Sequence, residues 1–97
     1  MIMEKKTMTN TGTNEVQNLT VEHTSVIDLL EKKISFNGYI KKNGKQIGML
    51  MYKTGEQFYH TYNNPEDTTF EQKIAVLQFL LDKIAENQTE MTQLTSE

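Results

Sequence analysis

Residues 34–53, which read ISFNGYIKKNGKQIGMLMYK, decide the fold that the sequence predicts. Two runs rich in apolar and aromatic residues flank Asn43-Gly44, the dipeptide most typical of a two-residue type I′ hairpin turn. Such a turn makes Lys42 the partner of Lys45 and fixes the pairing of the residues beyond them. The segment is therefore predicted to form an antiparallel β-hairpin.

That register sorts the side chains of the hairpin onto two faces. One face carries apolar or small pairs, namely Ile40 with Ile47, Gly38 with Met49, and Phe36 with Met51. The other face pairs Tyr39 with Gly48, Asn37 with Leu50, and Ser35 with Tyr52. Because the turn and the hydrophobic pattern agree, the first face is expected to lie on the core.

A third strand is predicted at residues 57–63, after the turn signal Thr54-Gly55. If two residues form this turn, Lys53 pairs with Glu56. The predicted core face then gains Phe58, His60 and Tyr62, while Tyr59 lies on the other face. A three-residue turn would swap these two faces.

The chain after Pro65 predicts a long amphipathic helix from Thr69 to about Ala85 or beyond. Thr68 as N-cap and Glu71 three residues later form the pattern of a capping box. The residues Phe70, Ile74, Leu77, Leu81 and Ile84 have the spacing of a core-facing stripe. Leu80 and Ala85 widen this stripe. Phe79 points away from this stripe, and Val76 lies on its shoulder.

The remaining segments complete the predicted domain. Residues 1–18 are rich in Thr, Asn and Lys and are predicted to be a disordered arm. Residues 21–33 are predicted to form a short helix. A single domain then spans residues 19–88, and residues 89–97 are a polar tail or frayed helix end. The predicted fold is α+β in the order α-β-β-β-α, with a short N-terminal helix, a three-stranded antiparallel meander and a long C-terminal helix packed on one sheet face.

Composition narrows the class of protein. The 97-residue chain has no cysteine, which excludes disulfides, thiolate metal sites and cysteine nucleophiles. Residues 1–16 show no apolar signal-peptide core, and no run approaches the about 20 apolar residues that span a bilayer, so a cytoplasmic protein without membrane contact is expected.

Abundant Lys, Asn, Ile and Thr are typical of AT-rich genomes, including those of phages of low-GC bacteria. Because a domain this small buries only about 60% of its unfolded surface, a homo-oligomer or a partner would stabilise it.

No constellation of residues indicates catalysis. His23 and His60 have no acid, nucleophile or further metal ligand placed by spacing, so both are expected to be packed or half-exposed histidines. Glu66 and Asp67 precede a helix N-terminus, where negative charge is favourable in any case. The sequence therefore predicts neither an enzyme, nor a metal site, nor a cofactor.

Two apolar surfaces remain after the predicted core is filled, the tyrosine face of the sheet and the Phe79 side of the last helix. The candidate partner-binding residues are Tyr39, Leu50, Tyr52, Tyr59, Val76 and Phe79. A short first helix can cover only one of these surfaces. The other is expected to be an exposed patch of the kind that marks a protein interface.

The alternative interpretation is a nucleic-acid or nucleotide site. The segment between Lys32 and Gly55 contains lysines but no acid, and lysines interleaved with tyrosines on a sheet can hold phosphates while the rings stack on bases. The candidate residues are Lys41, Lys42, Lys45 and Lys53. A net charge of −3 and the absence of arginine weigh against this alternative.

The predicted order α-β-β-β-α is similar to that of double-stranded-RNA-binding domains, and its β-β-β-α part to that of phage-integrase arm-binding domains. The RNA-binding resemblance implies a lysine-rich start to the last helix, where this chain has Thr69-Phe70-Glu71-Gln72. The sequence therefore favours a small non-catalytic protein-binding module, such as a phage or mobile-element inhibitor of a host protein, that acts by surface occupancy.

Overall fold

The computed structural model describes residues 7–95 and shows a five-stranded antiparallel sheet with one long helix across one face. Its elements are β1 (Thr7–Val16), β2 (Leu19–Asp28), β3 (Lys33–Lys42), β4 (Lys45–Lys53), β5 (Tyr59–Tyr62), a 3-10 turn (Pro65–Asp67) and α1 (Phe70–Thr95). The strands lie in the sheet in chain order. The expected α+β composition with an antiparallel sheet is confirmed, but the three-stranded meander with an N-terminal helix is wrong.

The segment predicted as a disordered arm and a short helix forms β1 and β2 from Thr7 onward. Gln17 and Asn18 connect the two strands with positive φ angles of 49° and 69°, the backbone of a type I′ turn. The alternating threonines of β1 are good strand residues because they are β-branched. The expected arm at residues 1–6 lies outside the described residues.

β2 follows the period of two that a half-buried strand requires. Its buried residues are Leu19, Val21, Ser25 and Ile27. Val26, Ile27, Leu29 and Leu30 also fit one side of a short helix, and for this reason the sequence predicted a helix here. Pairing on both sides, to β1 and to β3, stabilises the strand instead.

A β-bulge reverses the predicted faces of β4. Lys42 pairs with Lys45 around Asn43-Gly44 as predicted, but the register then shifts by one residue, so Ile40 lies opposite Gly48 instead of Ile47. The helix-covered face of β4 carries Gly48, Leu50 and Tyr52, and the outward face carries Met49 and Met51. The sequence missed this shift because β4 is apolar on both faces, so alternation alone does not fix its phase.

β5 pairs with β4 so that Tyr62 lies opposite Gly48 and His60 opposite Leu50. Both side chains lie on the helix-covered side. The pairing is that of the three-residue alternative, in which Lys53 would pair with Gln57 and Met51 pairs with Tyr59. Because the bulge reverses the faces of β4, His60 and Tyr62 nevertheless lie on the side that the two-residue turn predicts. A Cβ atom on Gly48 would collide with the backbone carbonyl of Thr61, so glycine lets β5 approach.

Helix α1 begins with a capping box one residue later than predicted. The Thr69 hydroxyl accepts from the Gln72 backbone N–H at 3.0 Å, and the Gln72 side-chain oxygen accepts from the Thr69 N–H at 2.9 Å. The predicted cap, Thr68, is instead buried, and its hydroxyl oxygen accepts a hydrogen bond from the Lys73 ammonium at 2.6 Å.

The stripe that the helix buries shares only Leu80 and Ile84 with the predicted one. Its buried residues are Val76, Leu80, Ile84, Asn87 and Met91. Among the predicted core residues, Phe70, Ile74 and Leu81 are exposed. The helix carries apolar residues on two sides about 90° apart, because successive residues turn by about 100°. Its seat on β1, β2 and β3, and not its own periodicity, selects the buried side.

Candidate functional site: the open face of the sheet

The face of the sheet opposite α1 is covered by no element of residues 7–95. Over β3, β4 and β5 this face presents an apolar group, which we call the Tyr–Met face and which consists of Tyr39, Met49, Met51 and Tyr59. Tyr39 is 44% exposed, Met51 38% and Tyr59 58%. Large apolar side chains grouped in this way mark an interaction surface more often than scattered ones do.

Strand pairing brings these four side chains together. Tyr39 lies directly opposite Met49, and Met51 lies directly opposite Tyr59. Directly opposite residues in an antiparallel sheet have Cβ atoms about 5 Å apart, so each tyrosine contacts the methionine row of β4. The two methionines of β4 lie between the Tyr39 ring on β3 and the Tyr59 ring on β5.

A hollow of about 300 Å³ opens at one end of the Tyr–Met face. Its lining residues are Met51, Tyr52, Lys53, Glu56, Gln57 and Tyr59. Behind this end, on the helix-covered side of β4, Tyr52 and Phe58 stack with ring centroids 4.7 Å apart and an angle of 20° between the rings. A hollow of this kind can receive one side chain of a partner, as interface anchors usually require.

Charges of both signs surround the Tyr–Met face. Lysines lie on the outward side of β3 and β4, namely Lys33, Lys41 and Lys53, and acids lie on the outward side of β1 and β2, namely Glu15, Glu22 and Asp28. Lys41 pairs with Glu22 at 3.1 Å across β2 and β3. The outward face is therefore electrostatically divided, not uniformly basic.

Only part of the predicted partner-binding set lies on this face. Tyr39 and Tyr59 are there. Leu50 and Val76 are fully buried in the main core cluster, so a partner cannot reach them. Tyr52 and Phe79 are partly buried against the same cluster on the helix side. The bulge in β4 removed Leu50 and Tyr52 from the outward face and brought Met49 and Met51 there in their place.

The lysines of the alternative site are dispersed. Lys42 donates to the backbone carbonyl of Asp67 at 2.7 Å, and Lys41 is held by Glu22. Lys45 is exposed beside the Asn43-Gly44 turn, and Lys53 borders the hollow. The four ammonium groups therefore do not form one continuous patch.

The two histidines lie on the helix side of the sheet. His23 packs between Phe36, at 5.8 Å, and Phe79, at 5.4 Å between ring centroids, and its Nε2 donates to Asn14 Oδ1 at 2.7 Å. Burial lowers the pKa of His23, the nearby Lys83 ammonium lowers it further, and Glu86 opposes them. These contacts make His23 part of the packing between sheet and helix.

His60 and Tyr62 meet edge-to-face with ring centroids 5.8 Å apart. The His60 Nδ1 atom and the Tyr62 hydroxyl are buried and make no hydrogen bond within residues 7–95. Burial raises the pKa of Tyr62. The same part of the chain contains no group of three or more His, Asp or Glu side chains placed to hold a metal ion.

Comparisons with protein-family models, with curated protein sequences and with solved structures found no match. Within residues 7–95, α1 is not apolar enough to cross a lipid bilayer.

Proposed function

We propose that this protein is a small non-catalytic binding module that occupies a surface of a partner protein through its Tyr–Met face. The observation that carries the proposal is the exposure of Tyr39, Met51 and Tyr59 together on a sheet face with no covering element. Tyrosine and methionine are enriched at the centres of protein interfaces. Methionine also adapts its shape to a partner because its side chain is unbranched and polarizable.

The charge around the face indicates the chemistry of the partner. Lys53 and Glu56 both border the hollow, and neither makes an ion pair within the described residues. A partner surface with an apolar centre and a margin of both charges would therefore pair with Lys53 and Glu56 while its centre covers Met51 and Tyr59. Such a rim charge mainly raises the association rate, and the apolar centre supplies the affinity.

Retention of a partner tests the proposal. The immobilised protein is incubated with lysate of its source cell, with and without nuclease, alongside the double variant Met51→Ala/Tyr59→Ala. The matched control is Ile74→Ala, which removes an exposed apolar side chain from α1 on the other side of the sheet. We expect one protein band that survives nuclease, is lost with the double variant and is kept by the control. Equal loss with the double variant and the control, or no retained band, would overturn the proposal.

Nucleic-acid binding is the second candidate, and Tyr39 and Tyr59 favour it because exposed rings on an open sheet can stack on bases. The carboxylates of Glu22 and Asp28 on the same face oppose it, since they repel phosphates. A salt titration with a labelled single-stranded oligonucleotide distinguishes the two. Tight binding with a steep loss at rising salt, abolished by Lys53→Glu, would replace the protein-binding proposal, and absence of binding at low salt rejects the nucleic-acid candidate.

A further inference from the structure

The two edges of the sheet differ in how they are protected against pairing. β5 has four residues and is followed closely by Pro65, so it offers little backbone for a further strand. β1 has ten residues, with no proline, no lysine and no bulge along its pairing with β2. Proteins usually shorten an exposed edge or protect it with such features. β1 is therefore the edge that stands open.

The turn between β1 and β2 determines which backbone groups of β1 point outward. Val16 and Leu19 close the two-residue turn, and in such a turn the closing pair exchanges both hydrogen bonds. Alternate residues back from Val16 therefore bond to β2. The residues between them direct their N–H and C=O groups away from the sheet, namely Thr7, Thr9, Thr11, Thr13 and Glu15.

We propose that a second copy of this chain pairs with this edge, β1 to β1 in antiparallel orientation, about a two-fold axis at Thr11. In this register Thr11 lies opposite the partner's Thr11. Thr9 lies opposite the partner's Thr13, and Thr7 lies opposite the partner's Glu15. All five outward-pointing residues then pair, whereas an axis at Gly12 pairs only four. The single charge of the strand, Glu15, faces a threonine and not its own copy.

The geometry of the chain accommodates this dimer. The axis is perpendicular to the sheet, so both α1 helices lie on one side. Strands are about 4.8 Å apart, so helices seated over the two β2 strands would be about 14 Å from each other, more than the 8–10 Å of packed helices. Threonine pairs across the new seam add side-chain contacts on the outward side. The result is a ten-stranded sheet with two Tyr–Met faces on one side.

Engineered disulfides test the register, since the natural chain has no cysteine. Residues directly opposite are about 5.5 Å apart between Cα atoms, within disulfide reach. We expect Thr11→Cys to form a disulfide-linked dimer on mild oxidation, and Thr9→Cys mixed with Thr13→Cys to form the heterodimer. Thr13→Cys alone and Thr61→Cys, on the opposite edge, should form no disulfide-linked dimer. Equal cross-linking of all these variants, or none at Thr11, would overturn the proposal.

A second measurement follows the unmodified interface. The mass in solution should be that of a dimer at high concentration, and Thr11→Pro should give a folded monomer, because the proline removes an N–H group that points away from β2. Amide hydrogen exchange gives the same test residue by residue. Amides of Thr9, Thr11 and Thr13 should become protected as concentration rises, while protection at Asn10 stays constant. A monomeric mass at every concentration would contradict the pairing.

Discussion

The side-chain amide of Asn87 donates from Nδ2 to Oγ of Ser25 at 2.8 Å, joining the middle of α1 to β2 in the interior. Both residues are buried, and they lie between the main core cluster and a smaller one formed by Ile27, Ile34 and Met91. A buried polar pair is costly when broken, since each group then lacks a partner. This bond therefore favours one rotation and one position of the helix along the sheet.

We expect Ser25→Ala to lower the free energy of unfolding by about 1–3 kcal/mol, because the Asn87 amide is then buried without a partner. The double variant Ser25→Ala/Asn87→Leu should recover part of this loss, since an apolar side chain of similar size replaces the amide. Urea unfolding of both variants measures the difference. Additive losses in the double variant would show that the hydrogen bond contributes little.

The rotation of α1 is tested by two adjacent leucines. Leu80 is fully buried, whereas Leu81 is 37% exposed. Leu80→Ala should destabilise the protein by about 2–5 kcal/mol through the cavity it leaves, and Leu81→Ala by less than about 1 kcal/mol. Thermal or urea unfolding compares them directly. A larger loss of unfolding free energy for Leu81→Ala than for Leu80→Ala would show that α1 has the orientation that its periodicity alone predicts.

Two glycines of the central strands provide a matched pair. A Cβ atom at Gly48 would strike the carbonyl of Thr61, but at Gly38 its nearest neighbours lie at 3.5 Å, an ordinary contact. Gly48→Ala should therefore cost about 1–3 kcal/mol and loosen β5, while Gly38→Ala should cost much less. Unfolding midpoints and hydrogen exchange in β5 report the two effects. Equal midpoints would mean that β5 moves aside without cost.

His23 predicts a dependence of stability on pH. Its pKa is lowered by burial and by Lys83, with Glu86 opposing, so the unfolded chain takes up this proton at higher pH than the folded chain. The contribution of His23 to stability is therefore complete above the unfolded pKa of about 6.5, and it is lost as pH falls from there through the lower pKa of the folded state. His23→Gln should show a smaller loss of stability between about pH 7.5 and 5.5. A steeper loss in the variant would reverse the assigned sign.

Substitutions in the turn between β1 and β2 should make the protein more stable. Gln17 and Asn18 adopt positive φ, a conformation that costs most residues about 1 kcal/mol and is favoured by Asn-Gly in a type I′ turn. Gln17→Asn/Asn18→Gly should raise the free energy of unfolding by about 0.5–1 kcal/mol. Denaturant unfolding measures the gain, and a loss would show that these side chains stabilise the turn in other ways.

Local signals in the sequence determined several elements of this protein. Asn43-Gly44 strongly favours its turn, because this dipeptide tolerates positive φ at both positions better than most others. The start of α1 was predicted within one residue, since a hydroxyl followed three residues later by a side-chain acceptor bonds the free N–H groups of the first turn. The position of Tyr39 and Tyr59 on the outward face also followed from strand periodicity, although β5 pairs in the register of the three-residue alternative.

Only the tertiary structure decided which sides of β4 and α1 are buried and that residues 7–16 form a strand, because the sequence permits two solutions in each case. β4 and α1 are apolar on two sides, so the bulge beyond Ile40 and the seat of the helix on β1, β2 and β3 select which side is buried. Those choices placed Leu50 and Val76 in the core and Met49 and Met51 on the Tyr–Met face. Likewise, a threonine-rich segment that is polar enough for a disordered arm forms a strand once the residues between its threonines hydrogen-bond to β2.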